Sequence, residues 1–147
     1  MTTASPVGGR VQTWLIDISA DDCADLLAAS PVGRVGVIVN GRPQIFPVNH
    51  VYDRQSGCVV FPTRAGTKLH AALDWPWVAF EVDGLDREGD GGWSVLLVGR
   101  AEEITDPAEI ARATAARTTL WAAGRGTHWV RIVPSEVTAR RISAVVH

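Results

Sequence analysis

Three stretches of this chain carry residue types at spacings that could do chemistry. In Phe61-Pro62-Thr63-Arg64-Ala65-Gly66-Thr67-Lys68, two hydroxyls, a guanidinium and an ammonium gather around a glycine, between an apolar run and a helical pattern. A helix start presents unsatisfied N–H groups and suits a phosphate. Thr67 can donate a hydrogen bond, while Arg64 and Lys68 supply charge-assisted ones. The bland reading of the same residues is a capped helix with solvated basic side chains, and the spacing is not that of a P-loop. The second stretch, Pro47-Val48-Asn49-His50, could offer backbone groups and an amide to the edge of a planar ligand, or simply end a strand. His50 has the chemistry of a general acid or base, though a lone strand histidine is more often a satisfied structural residue. The third is Trp93-Ser94, with Trp129 later beside His128. Large aromatics stack on planar rings or fill an interface, and core packing is the default for any one of them. Glu81 and Asp83 flank Val82 and so point away from the core rather than forming a catalytic pair. No GxSxG, no Ser-His-Asp set and no usefully spaced carboxylate pair stands out, so hydrolase chemistry has little support.

These residues need elements to position them. Trp14 to Ile18 reads as a short strand, followed by Ser19 as an N-cap with Asp21 and Asp22 in the first helical turn. Cys23, Leu26 and Leu27 form one apolar stripe, and that helix must stop before Pro31. Arg34 to Val39 is a strand that meets Asn40-Gly41, a strong hairpin signal because both residues tolerate positive φ. The returning strand, Gln44 to Val51, contains Pro47, which cannot donate to a ladder and argues for a sheet edge or an irregularity there. A turn at Asp53–Gly57 leads to the apolar strand Cys58–Pro62. A short helix after Lys68 carries Leu69, Ala72 and Leu73 on one side. Trp77–Asp83 and Trp93–Ala101 are strands joined by a polar, glycine-rich loop from Gly84 to Gly92. Asp106-Pro107 opens another helix, expected to reach about Trp121. The segment Ala122–Gly126 reads as a loop. Two final strands, His128–Val133 and Glu136–Ile142, are expected with Pro134-Ser135 as the turn between them.

Six or so strands in meander order with short helices between them suggest a closed or partly closed antiparallel barrel. The connections are too short for the crossovers of a parallel sheet. The 147 residues allow one domain, read as a flexible tail over 1–12 and a single domain over 13–147. Of the 14 basic residues 13 are arginine, leaving Lys68 as the lone lysine, and the net charge is −2. That balance, with no basic cluster beyond Arg140-Arg141, argues against nucleic-acid binding. No run approaches the length of a membrane span, and the N-terminal residues lack a signal-peptide core. Cys23 and Cys58 read as buried free thiols, and no CxxC, HExxH or clustered His/Cys set suggests a metal. The expectation is a soluble, cytoplasmic protein.

The runs Val32–Val35, Arg42–His50, Phe61–Lys68, Val78–Asp83 and Gly92–Ala101, taken in this order with Trp129–Pro134 and Arg140–Ile142, resemble the pyridoxamine 5′-phosphate oxidase-like family. More narrowly, they resemble small actinobacterial members of the flavin/deazaflavin oxidoreductase superfamily. The resemblance covers nearly the whole chain after the first ten residues. It implies a mainly β fold with short helices (α+β), an antiparallel split β-barrel of FMN-binding type, assembled as a homodimer with two sites at the interface. By this resemblance Pro47, Val48 and Asn49 line the isoalloxazine, with Phe61, Pro62 and Thr63 beside it. Arg64, Thr67 and Lys68 hold the phosphate, and Trp93 and Ser94 approach from the partner. FMN would carry hydride to or from a small organic substrate, with no catalytic side chain assigned. The chain is shorter than a true pyridoxamine phosphate oxidase and lacks its basic set for a second phosphate, so vitamin B6 oxidation is not implied. The deazaflavin F420 and, less so, haem are the alternative cofactors, and a non-catalytic flavin- or haem-binding role is the alternative function.

Overall fold

The computed structural model describes residues 2–4, 10–86, 91–116, 124 and 126–146. They form β1 (Thr2–Ala4), β2 (Arg10–Asp17), α1 (Ala20–Ala29), β3 (Val32–Val39), β4 (Arg42–Asn49), β5 (Val51–Asp53) and β6 (Cys58–Arg64). Then come α2 (Lys68–Ala72), β7 (Val78–Leu85), β8 (Gly91–Ile104), α3 (Pro107–Ala116) and β9 (Thr127–Val146). Every strand pairing is antiparallel, and the sheet runs β1-β2-β9-β8-β7-β3-β4, with β6 and then β5 attached to β9. The fold is therefore mainly β with short helices, as expected.

Local chemistry explains several boundaries. The Ser19 hydroxyl accepts from the Asp22 N–H and starts α1, and α1 ends before Pro31. Asn40 and Gly41 both take positive φ, 52° and 76°, and turn β3 into β4 over two residues. Asp106 accepts from the Ala108 N–H and opens α3 with Pro107 at its first position. The expected end of that helix near Trp121, most of the Ala122–Gly126 loop and the tip of the Gly84–Gly92 loop fall outside the described residues. Of the expected tail, Thr2–Ala4 pairs with β2, which itself begins at Arg10.

The C-terminal region differs from expectation. Instead of two strands and a turn at Pro134-Ser135, β9 is one strand of 20 residues. Val98 pairs with Glu136 and Gly99 with Pro134, so Ser135 is an extra residue in a bulge. A bulge is where a strand tolerates proline, because no ladder donor is needed there. The backbones approach so closely that a Cβ on Gly99 would lie 2.0 Å from the Val133 carbonyl oxygen. Beta9 lies against β8 along most of its length, while its other edge serves β6 first and β2 last.

This sharing bends the sheet around one core. Val35, Val59, Phe61, Phe80, Val82, Val95, Leu97 and Ile132 are wholly buried. Beta6 is buried on both faces. Val59 and Phe61 enter the main core, while Val60 packs with Ile104 and Ala113 beneath α3. Cys23 and Cys58 are buried free thiols, as expected. No ladder joins β4 to β6 among the described residues. The sheet is thus open along one seam, bordered by the free edge of β4 and by residues 61–64 of β6, which pair on the β9 side only.

Candidate functional site

A cavity of about 400 Å³ occupies that seam. Beta4 contributes Phe46, Pro47, Val48 and Asn49; β6 contributes Pro62, Thr63 and Arg64; the turn into α2 contributes Thr67, Lys68 and Leu69. The two prolines lie on the facing strands. Lacking N–H groups, they help leave these edges unpaired and supply rigid apolar walls. Eight expected site residues meet here: Pro47, Val48, Asn49, Pro62, Thr63, Arg64, Thr67 and Lys68. Phe46 and Leu69 also line the cavity; each is the chain neighbour of an expected residue, and Leu69 reads in the sequence only as the core side of a helix.

Three expected residues lie elsewhere. Phe61 is fully buried and packs in the main core, because strand alternation sends it to the opposite face from its neighbours. Trp93 and Ser94 line a separate cavity of about 490 Å³ with Asp83, Leu85, Arg140 and Ile142. Within the chain they do not line the first cavity.

The polar groups divide into those already engaged and those available. The Asn49 side-chain amide donates to the Pro31 carbonyl at 2.6 Å, tying the end of β4 to the start of β3. The Thr67 hydroxyl accepts from the His70 N–H at 3.1 Å and donates to the Arg64 carbonyl at 2.8 Å. Its proton is committed to the turn, so Thr67 shapes the approach to α2 rather than donating into the cavity. His50 is wholly buried, donates through Nε2 to the Leu27 carbonyl at 3.0 Å and meets the Phe80 ring edge-on. That places it in the core rather than at the cavity.

Arg64 and Lys68 are exposed and line the cavity, whose described lining contains no carboxylate. Among the described residues neither forms an ion pair, whereas Arg34, Arg54, Arg112, Arg131 and Arg141 all do. Bonds from Glu109 and Glu102 hold the Arg131 guanidinium above its usual range, and those from Asp83 and Glu81 do the same for Arg34. The cavity therefore joins an apolar slot to two cations without counter-charges. Among the described residues its lining has no histidine, cysteine or carboxylate, and its only titratable side chains are Arg64 and Lys68.

Outside the seam, the outer faces of β4, β3, β7 and β8 form a shallow trough. Gly36 and Ala79 lie among its lining, together with Ile45, 69% exposed, and Leu96, 41% exposed. Arg34 pairs there with Glu81 and Asp83, confirming that these carboxylates face away from the core. On the other side of α2, His70, Glu103 and His128 come together from three elements. Nothing in their sequence spacing of 33 and 25 residues predicts that grouping.

A family model described as pyridoxamine 5′-phosphate oxidase matches residues 19–141. Among solved structures, the chain is similar to an FAD-binding protein of Mycobacterium smegmatis, with 38% identity and a TM-score of 0.75. That match covers 87% of this chain and 98% of the other. An FAD-binding protein of Mesorhizobium loti is 26% identical with a TM-score of 0.74, covering 90% of this chain and 99% of that one. An uncharacterised Mycobacterium tuberculosis protein is 35% identical over 114 residues, which is 74% of this chain and 72% of the relative.

Proposed function

This chain belongs to the pyridoxamine 5′-phosphate oxidase family, and from that premise we propose that it binds a flavin nucleotide in the seam cavity and acts as a flavin-dependent oxidoreductase on a small organic substrate. The observation that carries the proposal is the apolar slot ending in two unpaired cations. Pro47, Val48, Pro62 and Leu69 offer a dry surface to a flat ring system. Arg64 and Lys68 offer charge-assisted donors to a phosphate. A volume of about 400 Å³ lies at the small end of the range for ligand cavities, in keeping with a mononucleotide. When bound, the flavin supplies the hydride chemistry, and the protein supplies position, exclusion of water and electrostatics. A lining whose only titratable side chains among the described residues are Arg64 and Lys68 is consistent with that division of labour.

The two similar proteins described as FAD-binding favour a second reading, in which the same slot takes the flavin end of FAD. Mass analysis of the nucleotide released on denaturation separates FMN from FAD. Competitive titration with F420 tests the deazaflavin. Purified protein that is colourless and binds none of the three would overturn the proposal. Stopped-flow reduction and reoxidation of the bound flavin tests the oxidoreductase part, and a flavin that never turns over would leave a binding protein.

The functional unit in this reading is a homodimer. The trough around Ile45 and Leu96 supplies exposed apolar surface. Trp93 and Ser94, which do not reach the cavity of their own subunit, are then free to approach that of the partner.

A further inference from the structure

We propose that His70, Glu103 and His128 form a binding site for a divalent transition-metal ion of the zinc class. The three side chains come from α2, β8 and β9, and their ligand atoms all lie within 4.8 Å of one another. The two imidazoles face each other with ring centres 4.6 Å apart and planes tilted by 38°. His128 also meets the Glu103 carboxylate through Nδ1. Two imidazoles and one carboxylate are a zinc ligand set, and three protein ligands leave a fourth position for water or an exogenous ligand.

The residue types and the charge suit an ion, which would take the place of the His128–Glu103 contact. Tetrahedral ligation at ~2.0–2.2 Å places ligand atoms roughly 3.3–3.6 Å apart. Reaching that span requires rotamer adjustments that open the His128–Glu103 contact and bring His70 closer, and partial exposure permits them: His128 is 35% and Glu103 51% exposed. Glu103 then brings one negative charge to a dication. The exposure also provides an entry path. Of the histidines among the described residues, His50 is sealed in the core and the other two belong to the cluster. A bound ion ties the short helix α2 to β8 and β9.

The test uses tag-free protein and zinc chloride in a non-coordinating buffer, followed by isothermal titration calorimetry. One ion per chain is expected, with no change in His147→Ala. His70→Ala and His128→Ala should each abolish that binding, and Glu103→Gln, which removes the anionic ligand, should weaken it by at least the ~10–100-fold typical of losing even an outer-shell partner. Zinc should raise the melting temperature of the unmodified protein but not of the two alanine variants. Cobalt(II) bound to the unmodified protein should show the intense visible band of a four-coordinate site, a readout that needs no mutation. Zinc binding that survives both His70→Ala and His128→Ala, absence of stoichiometric binding, or only the weak octahedral cobalt spectrum at saturation would each overturn the proposal.

Discussion

Replacing Lys68 with alanine tests the cation at the cavity most directly. Lys68 is exposed and lines the slot without an ion-pair partner among the described residues. A hydrogen bond to a charged group contributes about 1.5–3 kcal/mol. The exposure of the ammonium group and the openness of the seam to water reduce that benefit, so a loss of about 1–2 kcal/mol is expected. This corresponds to roughly 5–30-fold weaker FMN binding. The assay is a fluorescence titration of FMN and of riboflavin, which has the same ring and ribityl chain but no phosphate. Lys68→Ala should weaken FMN and leave riboflavin unchanged. Lys68→Arg should restore most of the loss, and the FMN difference should shrink with added salt. An equal loss for both ligands would mean that Lys68 shapes the cavity. No loss for either would remove it from the site. Thr67 gives a contrast, because its proton already goes to the Arg64 carbonyl. Thr67→Ser should therefore preserve both FMN affinity and stability, while Thr67→Ala should cost about 1 kcal/mol of stability through the lost cap, read by urea unfolding.

Three further outcomes follow from the packing. In Gly33→Ala, the new Cβ would sit 2.2 Å from Cζ of Phe80, a wholly buried ring held against His50; destabilisation of about 1–3 kcal/mol is expected, and an unchanged melting midpoint would refute it. Burial pushes the Asp53 carboxyl up, but bonds from Ser56, Arg112 and the Gln55 N–H outweigh it and hold the group below its usual range. Its ionised form therefore stabilises the fold above about pH 4, and that contribution is lost as pH falls through the lowered folded value. Asp53→Asn should cost stability at pH 7, with the deficit narrowing by pH 3 in urea titrations; a deficit independent of pH would contradict the argument. For the proposed homodimer, Leu96→Arg should place a charge on each copy's exposed trough and shift light-scattering mass toward the monomer, whereas a monomeric unmodified protein would refute the interface.

Short-range chemistry was readable residue by residue. Ser19 and Asp106 cap helices because their oxygens reach N–H groups two or three residues ahead. Asn40-Gly41 turns because both residues accept positive φ. Pro134 misled for an instructive reason. Proline signals a break in pairing, but a turn and a bulge are locally alike. The choice fell to β8, which remains paired on both sides of the irregularity and carries a glycine where the backbones crowd.

The sequence by itself determined the antiparallel, strand-rich class, the helix starts, the hairpin and the stretches 47–50 and 61–68 as chemically unusual. All of these depend on backbone preferences and hydrogen bonds reaching only a few residues. Tertiary structure alone decided that β4 and β6 face each other across an unpaired seam, and hence that two distant segments line one cavity. It also decided that Asn49 spends its donor on Pro31, that Phe61 and His50 belong to the core, and that His70, Glu103 and His128 converge. Those outcomes depend on which strand edges are left over after every ladder has formed. That is a property of the whole sheet, carried by no single stretch of chain.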